Sequence, residues 1–190
     1  KVRSTHNLLT GRVTQIDNAT ALSAHTTHVS GTMMGNATAS TSAKGMASQA
    51  NLKAYDWNSD VSETTLAAAN GLLISNHSYG YDPDNVPVWN WGKYDSDARY
   101  FDNVMFNAPY YQFVNSAGNS RNSGYNDSKS GYDLLAGKSI SKNAIIVGAV
   151  NQVNNYTSSA SVVMSSFSSW GPTDDGRIKP DICGKGVNVR

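Results

Sequence analysis

Short apolar runs that end in polar turns recur along the chain. Each is four to seven residues long and is followed by Asn, the pattern of a buried strand bounded by turn residues. The predicted strands are Leu52 to Trp57, Leu72 to Ser75, Tyr111 to Val114 and Ala144 to Val150. Their spacing leaves room for a helix or a long loop between one strand and the next.

Two helical patterns lie between these runs. Ser62 is predicted to cap a helix that continues to Ala69, and a second helix is predicted over Ser96 to Phe106. The apolar side chains predicted near one face of the second helix are Ala98, Phe101, Met105 and Phe106. Alternating strands and helices predict an α/β fold, with a mostly parallel sheet covered by helices on both faces. Ligands bind at the carboxyl ends of such strands, so site residues are expected within 75–81 and 115–119.

Length, charge and cysteine content exclude several classes of protein. The 190 residues correspond to one domain or a piece of one, since an average domain has about 150. Fifteen basic and fourteen acidic residues give a net charge of +1, which is too balanced for a surface that binds nucleic acid. No apolar stretch approaches the ~18 residues of a membrane span. The single cysteine, Cys183, excludes an internal disulfide.

The densest chemical segment runs from Ala24 to Thr32, where a polar loop turns into a helix of small residues. It contains two imidazoles, His25 and His28, at a spacing that allows a shared metal ion. The glutamate of the H-E-x-x-H zinc motif is missing and no nearby carboxylate replaces it, so zinc is disfavoured. Taken alone, either histidine would be an ordinary, partly buried polar residue.

This segment resembles the histidine box of the subtilisin-like serine proteases, the subtilases, which is normally written H-G-T-H-V-A-G-T. Six of its eight positions match the chain over residues 25–32. The departures are Thr26 in place of Gly and Ser30 in place of Ala. The resemblance implies that His25 is the catalytic base and that His28 is structural.

Three further segments resemble subtilase motifs in the family's order. Ser116, Ala117, Gly118 and Asn119 are similar to the A-A-G-N turn, in which the Asn side chain completes the oxyanion hole. Residues 76–80 are similar to the N-x-S-x-G segment at one rim of the substrate cleft. This implies that Ser78 and Gly80 pair with the peptide backbone and that Tyr79 flanks the specificity pocket. Residues 165–172, followed by 177–181, resemble the S-F-S-x-x-G-P loop and its continuation to K-P-D.

The resemblance covers almost the whole chain and implies a three-layer subtilisin-like fold. Residues 1–190 are then expected to be a partial subtilase catalytic domain, truncated at both ends, of a serine endopeptidase that uses an Asp/His/Ser triad. The triad Asp is expected just before Lys1, because residues 2–9 resemble the segment after the family's Asp-x-Gly. Asp17, the only acid before His25, is therefore rejected as the triad acid.

The serine nucleophile is also expected outside the chain. The family's G-T-S-M-A motif is absent, and Gly31-Thr32-Met33-Met34 imitates it without the serine. The chain alone is therefore expected to be inactive, since it contains the base and the oxyanion donor only.

The resemblance also implies a polypeptide substrate, a monomer, no nucleic-acid or membrane partner, and a secreted or cell-surface location. No cofactor is expected to be required. Structural calcium is common in the family, but the segment Gly35 to Ala43, where one such site often lies, contains no carboxylate. Calcium ligands are therefore not assigned.

Two other functions stay open. One is a non-catalytic module that binds peptides in the cleft and lacks the triad by nature. The other is a carbohydrate-binding surface built on exposed aromatic side chains, for which the candidates are Tyr81, Trp89, Trp91 and Tyr94.

Overall fold

The computed structural model describes residues 1–37 and 40–189. The chain divides into two compact units, Lys1–Asp60 with the residues from Asn188 onward, and Val61–Val187. None of the helices in the described part of the chain has the length and apolar character needed to span a bilayer.

Among its described residues, the first unit contains a two-stranded parallel sheet and one α-helix. Strand β1, Val13–Gln15, pairs with β2, Leu52–Ala54, and helix α1, Ala24–Met34, lies between them in the chain. The small core of this unit consists of Val2, Leu9, Met34 and Ala54, with Val13, Met33 and Leu52 packed against it. A two-stranded sheet this short is not stable alone, so the burial of these apolar side chains stabilises the unit.

The Arg12 guanidinium ties the loops of the first unit together. Nη1 donates to the carbonyls of Ser48 and Ala50, both at 3.0 Å. Nη2 donates to the carbonyls of Leu8 and Met34, at 2.7 and 2.8 Å. One planar group with donors on a fixed fork therefore binds four backbone oxygens from separate parts of the first unit.

The second unit is built on a four-stranded sheet in the order β3-β4-β5-β6. Its strands are β3 Ile74–His77, β4 Gln112–Ser116, β5 Ile145–Val150 and β6 Ile182–Lys185, and every neighbouring pair is parallel. Helix α2, Asp60–Ala69, precedes β3, and helix α3, Ser96–Asn107, connects β3 to β4. The expected α/β class with parallel strands is confirmed.

The core of the second unit lies between α3 and the sheet. Phe101 of α3 stacks on Phe113 of β4 with 4.2 Å between ring centroids. Asp95 caps α3 by accepting a hydrogen bond from the backbone N–H of Ala98 at 3.1 Å. The other buried members of this cluster are Ala68, Ala98, Val104, Met105, Tyr111, Ala117, Leu135, Ile140, Ala144 and Ile146.

Several predicted boundaries are wrong by a few residues. Ser62 does not cap α2, because the helix already begins at Asp60. Phe106 is 80% exposed although its neighbour Met105 is buried, since one residue along a helix turns the side chain by about 100°. The strand predicted over Leu72 to Ser75 runs over Ile74–His77 instead.

The strand predicted to end at Val114 continues through Asn115 and Ser116. These two polar residues stay in the strand because the ladder to β5 continues there, with Asn115 opposite Ile146 and Ser116 opposite Val147. Strands β1 and β6 were not predicted, because the segments VTQ and ICGK have no run of apolar residues long enough to indicate them.

Candidate active site

His25 lies in the first turn of α1. The Ser23 side chain caps this helix by accepting a hydrogen bond from the backbone N–H of Thr26 at 3.2 Å, so α1 begins one residue before His25. The His25 side chain is exposed to solvent. An exposed imidazole on a well-capped helix has the accessibility and the fixed backbone that a general base needs.

His28, one turn further along α1, has a different environment. Its Nε2 atom lies 3.1 Å from the backbone carbonyl oxygen of Val189, within hydrogen-bond distance. The His28 side chain also lines a cavity of about 610 Å³ beside α1, and His25 does not line this cavity. This bond to the backbone fits the structural role that the motif implies for His28.

Asp17 is occupied by the loop that follows β1. Its Oδ1 accepts from Gln15 Nε2 at 2.6 Å and from the backbone N–H of Ala19 at 3.1 Å, and its Oδ2 accepts from the backbone N–H of Asp56. Burial by itself would raise the pKa of Asp17, but these hydrogen bonds hold it below its usual value. Asp17 therefore ties together the loops that follow β1 and β2.

The predicted cleft rim, Ser78 to Gly80, follows directly from the end of β3. Asn76 donates from Nδ2 to Ser78 Oγ at 3.0 Å, which holds the first turn after the strand. A Cβ atom placed on Gly80 would meet nothing within 4 Å. The space on the Cβ side of Gly80 is therefore open.

The predicted oxyanion turn follows β4. Ser116 is the last residue of the strand, Ala117 is buried, and the Asn119 side chain is exposed. Gly118 has a φ of +101°, and a Cβ at this position would lie 3.2 Å from Ser169 Oγ. Both the backbone angle and the close approach favour glycine here.

The cleft rim and the oxyanion turn meet at one edge of the sheet. Strands β3 and β4 are parallel neighbours, and His77 at the end of β3 pairs with Asn115. Ser78, Tyr79 and Gly80 therefore leave the sheet at the edge where Ser116 to Asn119 leave it. This is the edge at which parallel α/β sheets bind ligands.

His25 belongs to the first unit, whereas Asn119 and the cleft rim belong to the second. Convergence of His25 and Asn119 on one substrate carbonyl stays a prediction.

The segment 165–172 supports the oxyanion turn. The backbone N–H of Ser169 donates to the carbonyl of Gly118 at 2.9 Å, and Ser169 Oγ accepts from the backbone N–H of Ser120 at 2.9 Å. Further along, Lys179 Nζ donates to the Asp181 carboxylate at 2.7 Å and to the Ala144 carbonyl at 3.1 Å. Ser169 thereby joins the segment 165–172 to the turn after β4, and Lys179, seven residues beyond the segment, binds the residue before β5.

The alternatives of a metal site and of a sugar-binding surface find little support among the described residues. Within residues 1–37 and 40–189, no group of three or more His, Cys, Asp or Glu side chains is placed to hold a metal ion. Thr38 and Ala39, part of the segment considered for calcium, lie outside the described residues. Trp91 is only 4% exposed, so it cannot stack on a sugar together with the exposed Trp89.

Tyr81 lies next to the cleft rim and carries a neutral hydroxyl. Burial raises its pKa, and the carboxylates of Asp97 and Asp95 raise it further. A Cβ on Gly137 would lie 2.9 Å from the Tyr81 ring. Only a glycine at position 137 therefore lets the ring pack in this place.

The sequence did not indicate a role for two residues that shape this edge of the sheet, namely His77 and Lys138. His77 could have been found, because Ser75, His77 and Tyr79 alternate and residues two apart on a strand share one face. Lys138 lies 59 positions after Tyr79 in the sequence, and no local pattern connects the two. Ser169 lies within the predicted motif 165–172, but its contact with the turn after β4 was not predicted.

Two comparisons with known proteins bear on the family of this chain. The family model described as the subtilase family matches residues 2–190. One curated relative is the serine protease AprX of Bacillus subtilis (strain 168), which is 46% identical over 55 residues. This match covers 29% of the chain and 12% of that protein, so the chain spans only a small part of the relative. With a family match that extends over nearly every residue, the chain belongs to the subtilase family.

Proposed function

We propose that residues 1–190 are part of the catalytic domain of a serine endopeptidase. The observation that carries the proposal is the pairing of β3 with β4, since it puts the rim at Ser78 to Gly80 beside the turn that bears Asn119. Peptide-bond hydrolysis needs a surface that binds the substrate backbone and a hydrogen-bond donor for the carbonyl oxygen. In this proposal the rim is that surface and the exposed Asn119 amide is that donor. The family match supports the same reaction.

In this proposal the chemistry is nucleophilic attack by a serine hydroxyl on the substrate carbonyl. His25 removes the proton from the hydroxyl as the bond to carbon forms, and returns it to the leaving amine when the peptide bond breaks. A carboxylate behind the imidazole fixes its tautomer and stabilises the imidazolium. The Asp and Ser of the triad are expected outside residues 1–190.

Asn119 acts on the carbonyl oxygen. Its side-chain amide donates a hydrogen bond to the negative charge that develops as the tetrahedral intermediate forms. The close contact of Gly118 with Ser169 supports this role, because a donor held in place needs no reorganisation during the reaction. Ser116, Ala117 and Gly118 shape the turn and lie along the bound substrate.

The rim at Ser78 to Gly80 binds the substrate as an extended strand. Backbone N–H and C=O groups give affinity that tolerates varied sequences, and the pocket beside Tyr79 gives side-chain preference. Such a site takes polypeptides rather than nucleic acids or lipids. We further propose a monomer that is secreted or exposed at the cell surface and that requires no cofactor, with structural calcium unassigned.

The proposal is tested on the protein encoded by the full reading frame of the parent gene, with fluorescently labelled casein as substrate. His25→Ala is expected to lower the rate by at least about 10⁴-fold, as loss of a triad histidine does. His28→Ala is the matched control on the same helix and is expected to stay near the wild-type rate. Equal losses in both variants would contradict the role of His25.

Asn119→Ala is expected to lower kcat by about 10² to 10³-fold, a magnitude that comes from a subtilisin and is carried over from the family. Asn122→Ala, in the exposed loop three residues further on, is the control. A parent reading frame without a D-x-G and a G-T-S-M-A motif would contradict the proposed enzymatic activity and favour a non-catalytic module that binds peptides.

The 190-residue chain alone is expected to leave a fluorophosphonate probe unreacted, because it contains no nucleophile motif. The measurement is intact mass after incubation with the probe, beside a commercial serine protease as positive control. Stoichiometric labelling of one serine would show that the chain carries its own nucleophile.

A further inference from the structure

A buried histidine lies at the end of β3 in the second unit, outside the groups that the proposed reaction uses. His77 is 7% exposed. Its ring centroid lies 4.3 Å from that of Phe113 and 5.8 Å from that of Phe101. An imidazole in such an apolar place is costly unless its nitrogens have hydrogen-bond partners.

Both nitrogens of His77 have such partners. Nε2 lies 2.7 Å from Ser75 Oγ, and Nδ1 lies 2.8 Å from the Tyr79 hydroxyl. Ser75 Oγ is in turn hydrogen-bonded to the hydroxyl of Tyr111, which is buried in the core. Because each hydroxyl can donate or accept, the row is satisfied with either tautomer of the imidazole. A continuous row of hydrogen bonds therefore runs from Tyr111 through His77 to Tyr79.

The Tyr79 ring is held from a second side. Lys138 Nζ lies 4.2 Å from its centroid and 5.2 Å from that of Phe101. Lys138 is itself only 7% exposed, so this cation–π contact is sheltered from water, where such contacts are strongest. Tyr79 is thus fixed at its hydroxyl by His77 and at its ring by Lys138.

We propose that His77 is a positioning residue of the substrate cleft, which holds the Tyr79 ring in place as a rigid wall of the pocket at the rim. The proposal rests on the proposed function, since it takes Ser78 to Gly80 as the rim. A wall that is already ordered loses little side-chain entropy when a substrate packs against it. Large apolar substrate side chains gain most from such a surface, since they bury the greatest area.

The first test measures the Tyr79 ring by NMR in the 190-residue chain with labelled tyrosine. In the wild type we expect separate signals for the two edges of the ring, because its flips are slow. His77→Leu, which fills the same space but has no hydrogen-bonding atoms, is expected to merge them. His77→Asn, whose side-chain amide can replace the Nδ1 contact, is expected to keep them separate.

The second test measures the affinity of two extended peptides that differ only in a central Phe or Gly. The wild type is expected to favour the Phe peptide, and His77→Leu is expected to reduce that preference by about tenfold, the equivalent of one hydrogen bond. Tyr79→Phe removes the same bond from the rim side without a change in the core, and is expected to give the same loss. Tyr100→Phe, on the exposed face of α3, is the control.

The outcomes separate this inference from the proposed function. If His77→Leu keeps the separate ring signals and the Phe preference, the role of His77 is overturned. Equal losses in His77→Leu and His77→Asn would also overturn it. Failure of the wild type to bind either peptide would count against the proposed function. In that case the ring signals still decide whether His77 holds Tyr79.

Discussion

Ser169 holds the turn that carries Asn119 from both sides. Its hydroxyl accepts a hydrogen bond from the backbone N–H of Ser120, and its own N–H donates to the carbonyl of Gly118, both at 2.9 Å. The residue is 0% exposed. The position of Asn119 therefore depends on a side chain that lies 50 positions further along the chain.

Ser169→Ala is expected to destabilise the chain by about 1 to 3 kcal/mol, because the N–H of Ser120 is left buried without a partner. The measurement is urea unfolding of both proteins followed by tryptophan fluorescence. Ser166→Ala, in an exposed position of the same segment, is the control and is expected to change stability by less than ~0.5 kcal/mol. Equal effects of the two substitutions would contradict the role given to the Ser169 hydroxyl.

Asp17→Asn is expected to lower stability at neutral pH and to leave the activity of the full-length protease near that of the wild type. In the folded chain, burial acts to raise the pKa of Asp17, but hydrogen bonds from Asp56, Gln15 and Ala19 hold it below the usual value of an aspartate. The ionised carboxylate therefore contributes stability that is present above the unfolded pKa and is lost as the pH falls below about 4.

The test is the urea midpoint of wild type and Asp17→Asn from pH 7 down to pH 3, over which the difference is expected to shrink. Asp127→Asn, at an exposed carboxylate, is the control. A fall in protease activity as large as that of His25→Ala would identify Asp17 as the triad acid and refute its loop role.

Asp102→Ala is expected to be the most destabilising of these substitutions, by about 2 to 4 kcal/mol. This buried carboxylate accepts from the backbone N–H groups of Lys142 and Asn143 at 2.9 and 2.8 Å, and from the Tyr94 hydroxyl at 2.7 Å. Burial, followed by the bond to Asp102, raises the pKa of Tyr94 to about 12.

The stability of Asp102→Ala is measured by urea unfolding. Asn103→Ala, on the exposed side of the same helix, is the control. A loss below that of Asn103→Ala would show that the loop before β5 does not depend on Asp102.

Sugar titration is expected to leave the tryptophan fluorescence unchanged. Trp91 packs with Val86 and Leu134 in a buried cluster, and Lys93 lies over the Trp89 ring at 4.3 Å. With Trp91 buried and Lys93 over the Trp89 ring, these two tryptophans form a poor platform for a sugar. A saturable change in emission that Trp89→Phe abolishes would instead establish a carbohydrate site.

The order of strands and helices in the second unit could be predicted because each element carries its own local signal. The run AIIVGAV indicates a buried strand, and the apolar positions 98, 101 and 105 within Ser96 to Phe106 indicate α3. Polar segments such as VTQ give no such signal, since β1 forms only because β2 lies beside it. The predicted end of β4 was wrong for a similar reason, because its pairing with β5 extends the strand through Asn115 and Ser116.

By itself the amino-acid sequence determined which motifs are present and the chemistry they predict, because the residues of each motif are neighbours in the chain: the histidine box around His25, the turn before Asn119 and the rim at Ser78 to Gly80. Only the tertiary structure decided what holds these groups in place. Chain folding brought Ser169 to the turn that bears Asn119 and Lys138 to the Tyr79 ring, whereas His77 is only two residues from Tyr79 along the chain. Hydrogen bonds and cation–π contacts act over a few ångströms in space, whatever the separation along the chain.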